Sequence, residues 1–231
     1  RIAAMEICDL VKLSTSAIVG LTPTQAGALT FDQIGALSTA QFRALEAADL
    51  GAVNTSAISG ITTAQAAVMT GAQAAGLISA QIVRLDPLDV QQFSTAVVAG
   101  LTADQLNGLT ADQIAGVTTL QVSKLDVTQI TSFNTTQLQA FTTAHAGVLT
   151  AAQMAGLDSS QIAKLEAEDF SSLSTGVIAA LTDAQIDGLT AQQIADLTTS
   201  QAAALTAGQL AGLSTAQLLA MESTDFSKLS T

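Results

Sequence analysis

The sequence predicts an all-α fold: a solenoid of short capped helices, one for each eight-residue repeat. Three observations predict it. An apolar residue returns every eight positions from Met5 to Leu229, and all 29 of these lead positions are apolar, so the repeat fills the chain. Ser, Thr, Asn or Asp follows the lead residue in 24 of the 29 octads, and Gln stands three positions later in 18 of 28. That pairs a helix N-cap with its N3 side chain. Finally, eight residues advance an α-helix by about 800°, roughly 80° past two full turns. A single continuous helix would therefore wind its Leu stripe around the axis and face no core.

Each octad justifies its own helix. The consensus Leu-Thr-x-x-Gln-Ile-x-x is nearly intact in residues 101–108 (LTADQLNG), 109–116 (LTADQIAG), 181–188 (LTDAQIDG) and 205–212 (LTAGQLAG). The lead residue precedes the cap and a second apolar residue sits at N4, which supplies the hydrophobic staple. Pro23 and Pro87 both fall at N1, the one helical position where a missing N–H costs nothing. Nine glycines, among them Gly20, Gly60, Gly76 and Gly100, directly precede the next lead residue. They are expected to end the helix in the left-handed conformation. A helix of about five or six residues does not survive alone in water, so the octads must wind into a coil that buries the lead and N4 side chains. The alternative is a β-solenoid with octads as rungs. The caps, the Ala and Gln content and the lack of period-two alternation oppose it.

A longer spacing lies above the octad. Acidic residues take the cap position at Glu6, Glu46, Asp86, Asp126, Glu166 and Glu222, at intervals of 40, 40, 40, 40 and 56 residues. Most of these octads also carry Asp at N3, namely Asp9, Asp49, Asp89, Asp169 and Asp225. Forty residues are five octads, so about five octads are expected per turn of the coil. The last interval, seven octads, does not fit a five-octad turn. Residues 1–15 (RIAAMEICDLVKLST) align without gaps to 217–231 (QLLAMESTDFSKLST), and neither end carries a polar capping repeat. Residues 1–231 are therefore expected to form a single continuous solenoid, an excerpt of a longer array.

Composition narrows the function classes. The chain is 48% hydrophobic with mean hydropathy +0.45, ample for a continuous core, yet no apolar run approaches the length of a membrane span. Nineteen acidic residues against seven basic ones give a net charge of −12, and Trp and Tyr are absent, which argues against a nucleic-acid partner. One cysteine rules out an internal disulfide framework.

Chemistry-bearing residues are few. The pairs Glu46/Asp49, Asp86/Asp89 and Glu166/Asp169 place two carboxylates at one helix start, and stacked turns would bring such pairs together as oxygen ligands for Ca²⁺. Their simpler role is to satisfy free N–H groups and the helix dipole, with Arg84, Lys124 or Lys164 supplying a salt bridge to the acid two residues on. His145, the one histidine, stands where Gln is expected and reads as a substitute capping side chain. Cys8 lies near a helix N-terminus, which would lower its pKa, but has no histidine near it in sequence. Phe42, Phe93, Phe133, Phe141, Phe170 and Phe226 fall on lead or N4 positions and read as core. Ala17, Ala57, Val97 and Val177 replace Gln in the octad after an acidic one, and form an apolar stripe expected to serve self-association. No catalytic constellation emerges, so an enzyme is not expected.

The LTxxQIxxL pattern resembles octapeptide repeat tracts of very large bacterial secreted or surface proteins, often labelled adhesins, haem-utilisation or calcium-binding proteins. The resemblance covers essentially the whole chain. It implies a structural rod or filament of the bacterial cell surface or extracellular space, self-associating end to end or laterally, with a calcium-stiffened adhesin stalk as the alternative. No haem-ligand pair and no glycine-aspartate nonapeptide is present to carry those other labels onto residues here.

Overall fold

A computed structural model describes residues 2–229, and within them every octad becomes one short helix. The helices are four to six residues long, as in Pro23–Ala26, Phe31–Ala36 and Thr175–Ala180, after an opening 3₁₀ turn at Ile2–Ala4. Among the described residues there is no strand, so the fold is an α-solenoid and the β-rung alternative has no support. None of these helices is long and apolar enough to cross a membrane.

Local geometry follows the cap chemistry. Each N-cap residue is extended, as at Thr62 (φ −96°, ψ 158°), and where it is Ser or Thr its hydroxyl accepts from the N3 backbone N–H, here Gln65 N at 3.3 Å. Pro23 and Pro87 open their helices at N1. The lead and N4 side chains form the core: Leu37, Phe42, Leu45 and Leu50 are all at most 4% exposed. Phe93, Phe133, Phe141 and Phe170 join them, whereas Phe226 is 53% exposed.

The chain divides into two compact units, one running to Val117 and the other from Thr118. Within the first, the helix Phe31–Ala36 lies at the junction of two helices of the next turn. Its N-terminal end meets Gly60, at the close of Thr55–Ile58, while its C-terminal carbonyls, Ile34 O and Leu37 O, meet Gln65 of Thr63–Val68. The N3 residue of one octad is thus set against the lead residue 28 residues earlier, three and a half octads back, and helices of successive turns overlap like staggered bricks. The second unit repeats the offset, with Gln185 against Met154 O and Leu157 O.

This corrects the expected turn of five octads. A forty-residue interval is about 1.4 turns of 28, so acidic octads spaced by forty residues do not stack. The 56-residue interval from Glu166 to Glu222, the misfit of the five-octad reading, is two whole turns. Around it, Glu168 and Ser171, then Ala195 to Thr199, then Glu222 and Asp225 line one open groove of about 660 Å³.

The glycines also depart from expectation. No described glycine has a positive φ, so none is a left-handed cap. Helices such as Phe31–Ala36 and Thr63–Val68 run straight into an extended lead residue, others such as Ala103–Asn107 end on a right-handed glycine, Gly108, and several glycines mark close approaches between turns. A Cβ on Gly76 would lie 2.5 Å from Ala47 O, and one on Gly51 2.5 Å from Gly76 O. Side chains are excluded there because backbone meets backbone.

Candidate functional site

The feature that organises the molecule is the N3 side chain. In Gln octads it works in two directions. Gln73 Oε1 accepts from Thr70 N at 3.0 Å, closing its own helix start, while Gln73 Nε2 donates to Phe42 O and Leu45 O, both at 2.9 Å, at the end of a helix one turn earlier. Gln65, Gln105, Gln113, Gln153 and Gln193 repeat the pattern over offsets of 31 and 28 residues. One amide therefore satisfies a free N–H at one helix start and two carbonyls at another helix end, of which Phe42 O also accepts from Leu45 N, and this answers the shortage of partners at both termini of a short helix. These Gln side chains are almost wholly buried, Gln65, Gln113 and Gln193 each 1% exposed. Sequence reasoning found the cap and missed the bond between turns. Where the N3 residue is Ala57, the N-cap takes over: Asn54 Nδ2 donates to Leu29 O at 3.3 Å.

His145 is the substitute cap expected of it. Its Nδ1 accepts from Thr142 N and its own N–H donates to Thr142 Oγ1, both at 3.3 Å, and its ring stands edge-on to Phe141.

The acidic octads with Asp at N3 lack the donor. Asp49 Oδ2 accepts from Glu46 N and Asp89 Oδ2 from Asp86 N, each at 3.3 Å, so the local half of the cap survives. Asp169 makes neither bond, and its Oδ2 is the one buried side-chain oxygen or nitrogen among the described residues with no partner. All three are at most 4% exposed. Burial, the largest cause, pushes the carboxyls of Asp49 and Asp89 above the usual carboxylate value, and it carries Asp169 up to about 6 with help from Glu166 and Glu168.

The acidic pairs meant to hold Ca²⁺ are therefore helix-start residues, and the stacking that was to join them is not formed. Among the described residues, three or more potential ligand groups come together only at Glu6, Cys8 and Asp9, all exposed. The expected salt bridges from Arg84, Lys124 and Lys164 are not formed either. The ion pair among the described residues is Lys12–Asp9 at 3.3 Å, with both side chains mostly in solvent. The Cys8 thiol is raised, not lowered, first by its hydrogen bond to Glu6.

The apolar stripe is also corrected. Ala57, Val97 and Val177 are buried at 1%, 1% and 3%, because N3 faces the preceding turn; only Ala17 is exposed. Three of the four residues are core and unavailable for lateral contact.

A family model for the ALTTAQ repeat matches residues 2–39, 42–79, 82–119 and 162–199, more than half of the chain. The motif is nearly literal at residues 36–41 (ALSTAQ), and the matches begin 40, 40 and 80 residues apart, in step with the forty-residue spacing of the acidic octads. No curated protein matches the chain.

Proposed function

This chain belongs to the ALTTAQ repeat family, and from that membership we propose that it is a structural module: a repeat solenoid serving as a rod or filament segment in the extracellular space or on a bacterial cell surface. The observation that carries the reading is the double use of the N3 glutamine. Each glutamine octad of the kind shown by Gln73 commits its polar side chains to its own helix start and to the end of a helix one turn earlier, and so to the coil and not to a substrate. The Thr, Ser, Ala and Gln surface, with only 11% charged residues, suits close packing against like surfaces. Because every turn presents the same donors and carbonyls to the next, the design extends by repetition, and stability accumulates between neighbours.

Cryo-electron microscopy of the purified protein tests this. The expected result is elongated particles or filaments with a layer spacing of about 8 to 10 Å, the distance between packed helices. Compact particles at every concentration, or labelling confined to the cell interior when antibodies meet intact and opened cells, would overturn the rod and the location respectively.

A further inference from the structure

We infer that Asp49, Asp89 and Asp169 are proton-operated fasteners between turns: the neutral acid donates its hydroxyl hydrogen to a helix-end carbonyl of the preceding turn, as Gln does elsewhere, and the carboxylate cannot. The argument begins from register. Gln at N3 donates to carbonyls 31 and 28 residues back, in both units. By that offset Asp49 stands over Ile18 and Leu21, Asp89 over Ile58 and Ile61, and Asp169 over Leu138 and Phe141. Each position offers acceptors. An ionised carboxylate adds only more acceptors, whereas a carboxylic acid carries one donor and supplies what is missing.

The packing accommodates the shorter side chain. At Asp49 the preceding turn comes close: a Cβ on Gly27 would meet Ala52 O, in the helix Ala47–Ala52, at 2.8 Å. Asp169 shows the cost of the charged form most directly, since its buried Oδ2 has no partner. No cation answers these acids. The helices packed on Ala47–Ala52, Pro23–Ala26 and Gly71–Gly76, carry no titratable group, and Asp49 meets only Glu46 of its own octad. Asp89 has Asp86 beside it and Asp112 on the neighbouring helix Ala111–Gly116; Thr63–Val68 adds none. Asp169 has Glu166 and Glu168 on its own octad, with His145 on Thr143–Ala146 and Asp196 just after Ala191–Ala195 on the packed elements. Arg84 and Lys164, two residues before the acidic caps, form no ion pair with them. Asp225 holds the same N3 position, 3% exposed, on the lining of the open groove.

The sign follows from linkage. All three folded carboxyls titrate above the ordinary 3.8, so the folded state holds protons that the unfolded state has lost. Their contribution is fully present below the unfolded value and disappears as pH rises through the folded one, about 6 for Asp169. The coil is therefore fastened in mild acid and loosened at neutrality, the reverse of a protein held by carboxylate salt bridges.

Thermal melting of the whole chain between about pH 4.5 and about pH 7.5 tests this, beside the triple variant Asp49→Asn, Asp89→Asn, Asp169→Asn. Asn matches the neutral acid in size and donates at every pH. The unsubstituted chain is expected to lose about 3 to 8 °C of melting temperature across the window, and the triple variant to lose most of that dependence. A flat or rising profile in the unsubstituted chain, or an undiminished fall in the variant, overturns the proposal. Should the triple variant fail to fold, Asp169→Asn alone and a carboxyl ¹³C NMR titration of the unsubstituted chain decide. Carboxyls already ionised at pH 5 would overturn the device, and a midpoint near 6 at Asp169 would support it.

Discussion

The octads around Gln65 and Gln73 and the octad around Asp169 share one architecture: an apolar lead, a short helix, an N4 core residue and an N3 side chain at most 4% exposed. They differ in what that N3 side chain can donate. The Gln73 side chain makes four hydrogen bonds across two helices, and Asp169 leaves an oxygen unpaired. The comparison teaches that the coil is assembled from the hydrophobic repeat but fastened by amide protons. Helices of four to six residues expose most of their backbone ends, so they depend on such donors far more than long helices do.

The sharpest way to break the comparison is to convert one region into the other. Gln73→Glu keeps the acceptor that caps Thr70 and removes both donors to Phe42 O and Leu45 O, leaving a buried charge against two carbonyls. The expected loss at neutral pH is about 3 to 5 kcal/mol, read from urea unfolding. Part of it should return at about pH 4.5, where the carboxyl is neutral and donates again. An unchanged midpoint at neutral pH would mean that the bonds between turns contribute nothing net.

Next in size is Gly76→Ala. The added methyl meets Ala47 O at 2.5 Å and the Ala47 side chain at 3.1 Å, so the turns must separate. A destabilisation of about 1 to 3 kcal/mol is expected, although alanine is the better helix former. A stabilised variant would show that the close approach around the acidic octad is not required.

Which of these features the sequence displayed, and which it hid, has a physical basis. The octad, the caps, both N1 prolines and the core positions were legible because each is a local relation within eight residues. The turn was not. Gln recurs in most octads, so its partner 28 residues back cannot be told from one 24 or 40 residues back, and the visible forty-residue spacing of Glu6, Glu46 and Asp86 is a period of composition, not of contact. The glycines misled for a related reason: a glycine before a lead residue fits a left-handed cap as well as a close approach, and only the neighbouring turn distinguishes them. Ala57, Val97 and Val177 were legible as exceptions to Gln but not as buried ones, since burial at N3 depends on the same unseen neighbour.

A smaller effect isolates the cap from the bond between turns. Thr62→Ala removes the hydroxyl that accepts from Gln65 N and leaves Gln65 Nε2 on Ile34 O and Leu37 O. The expected cost is about 1 kcal/mol, less than for Gln73→Glu, and thermal melting of the two variants side by side checks the ranking. Equal costs would imply that losing either end of the N3 amide's network releases the whole of it.

The smallest expected effect concerns calcium. Chelation with EDTA should leave the melting temperature unchanged, because the acids at N3 face a preceding turn already rich in acceptors, and no second acidic octad stacks on the first over a forty-residue interval. A divalent ion needs six or more oxygens arranged around it, whereas Glu46/Asp49 and Asp86/Asp89 are held apart by about 1.4 turns. A rise of several degrees on adding calcium to the chelated protein would reverse this. It would mean that the acidic octads recruit a cation where the glutamine octads use an amide, and that the difference between the two regions is ligand chemistry instead of proton donation.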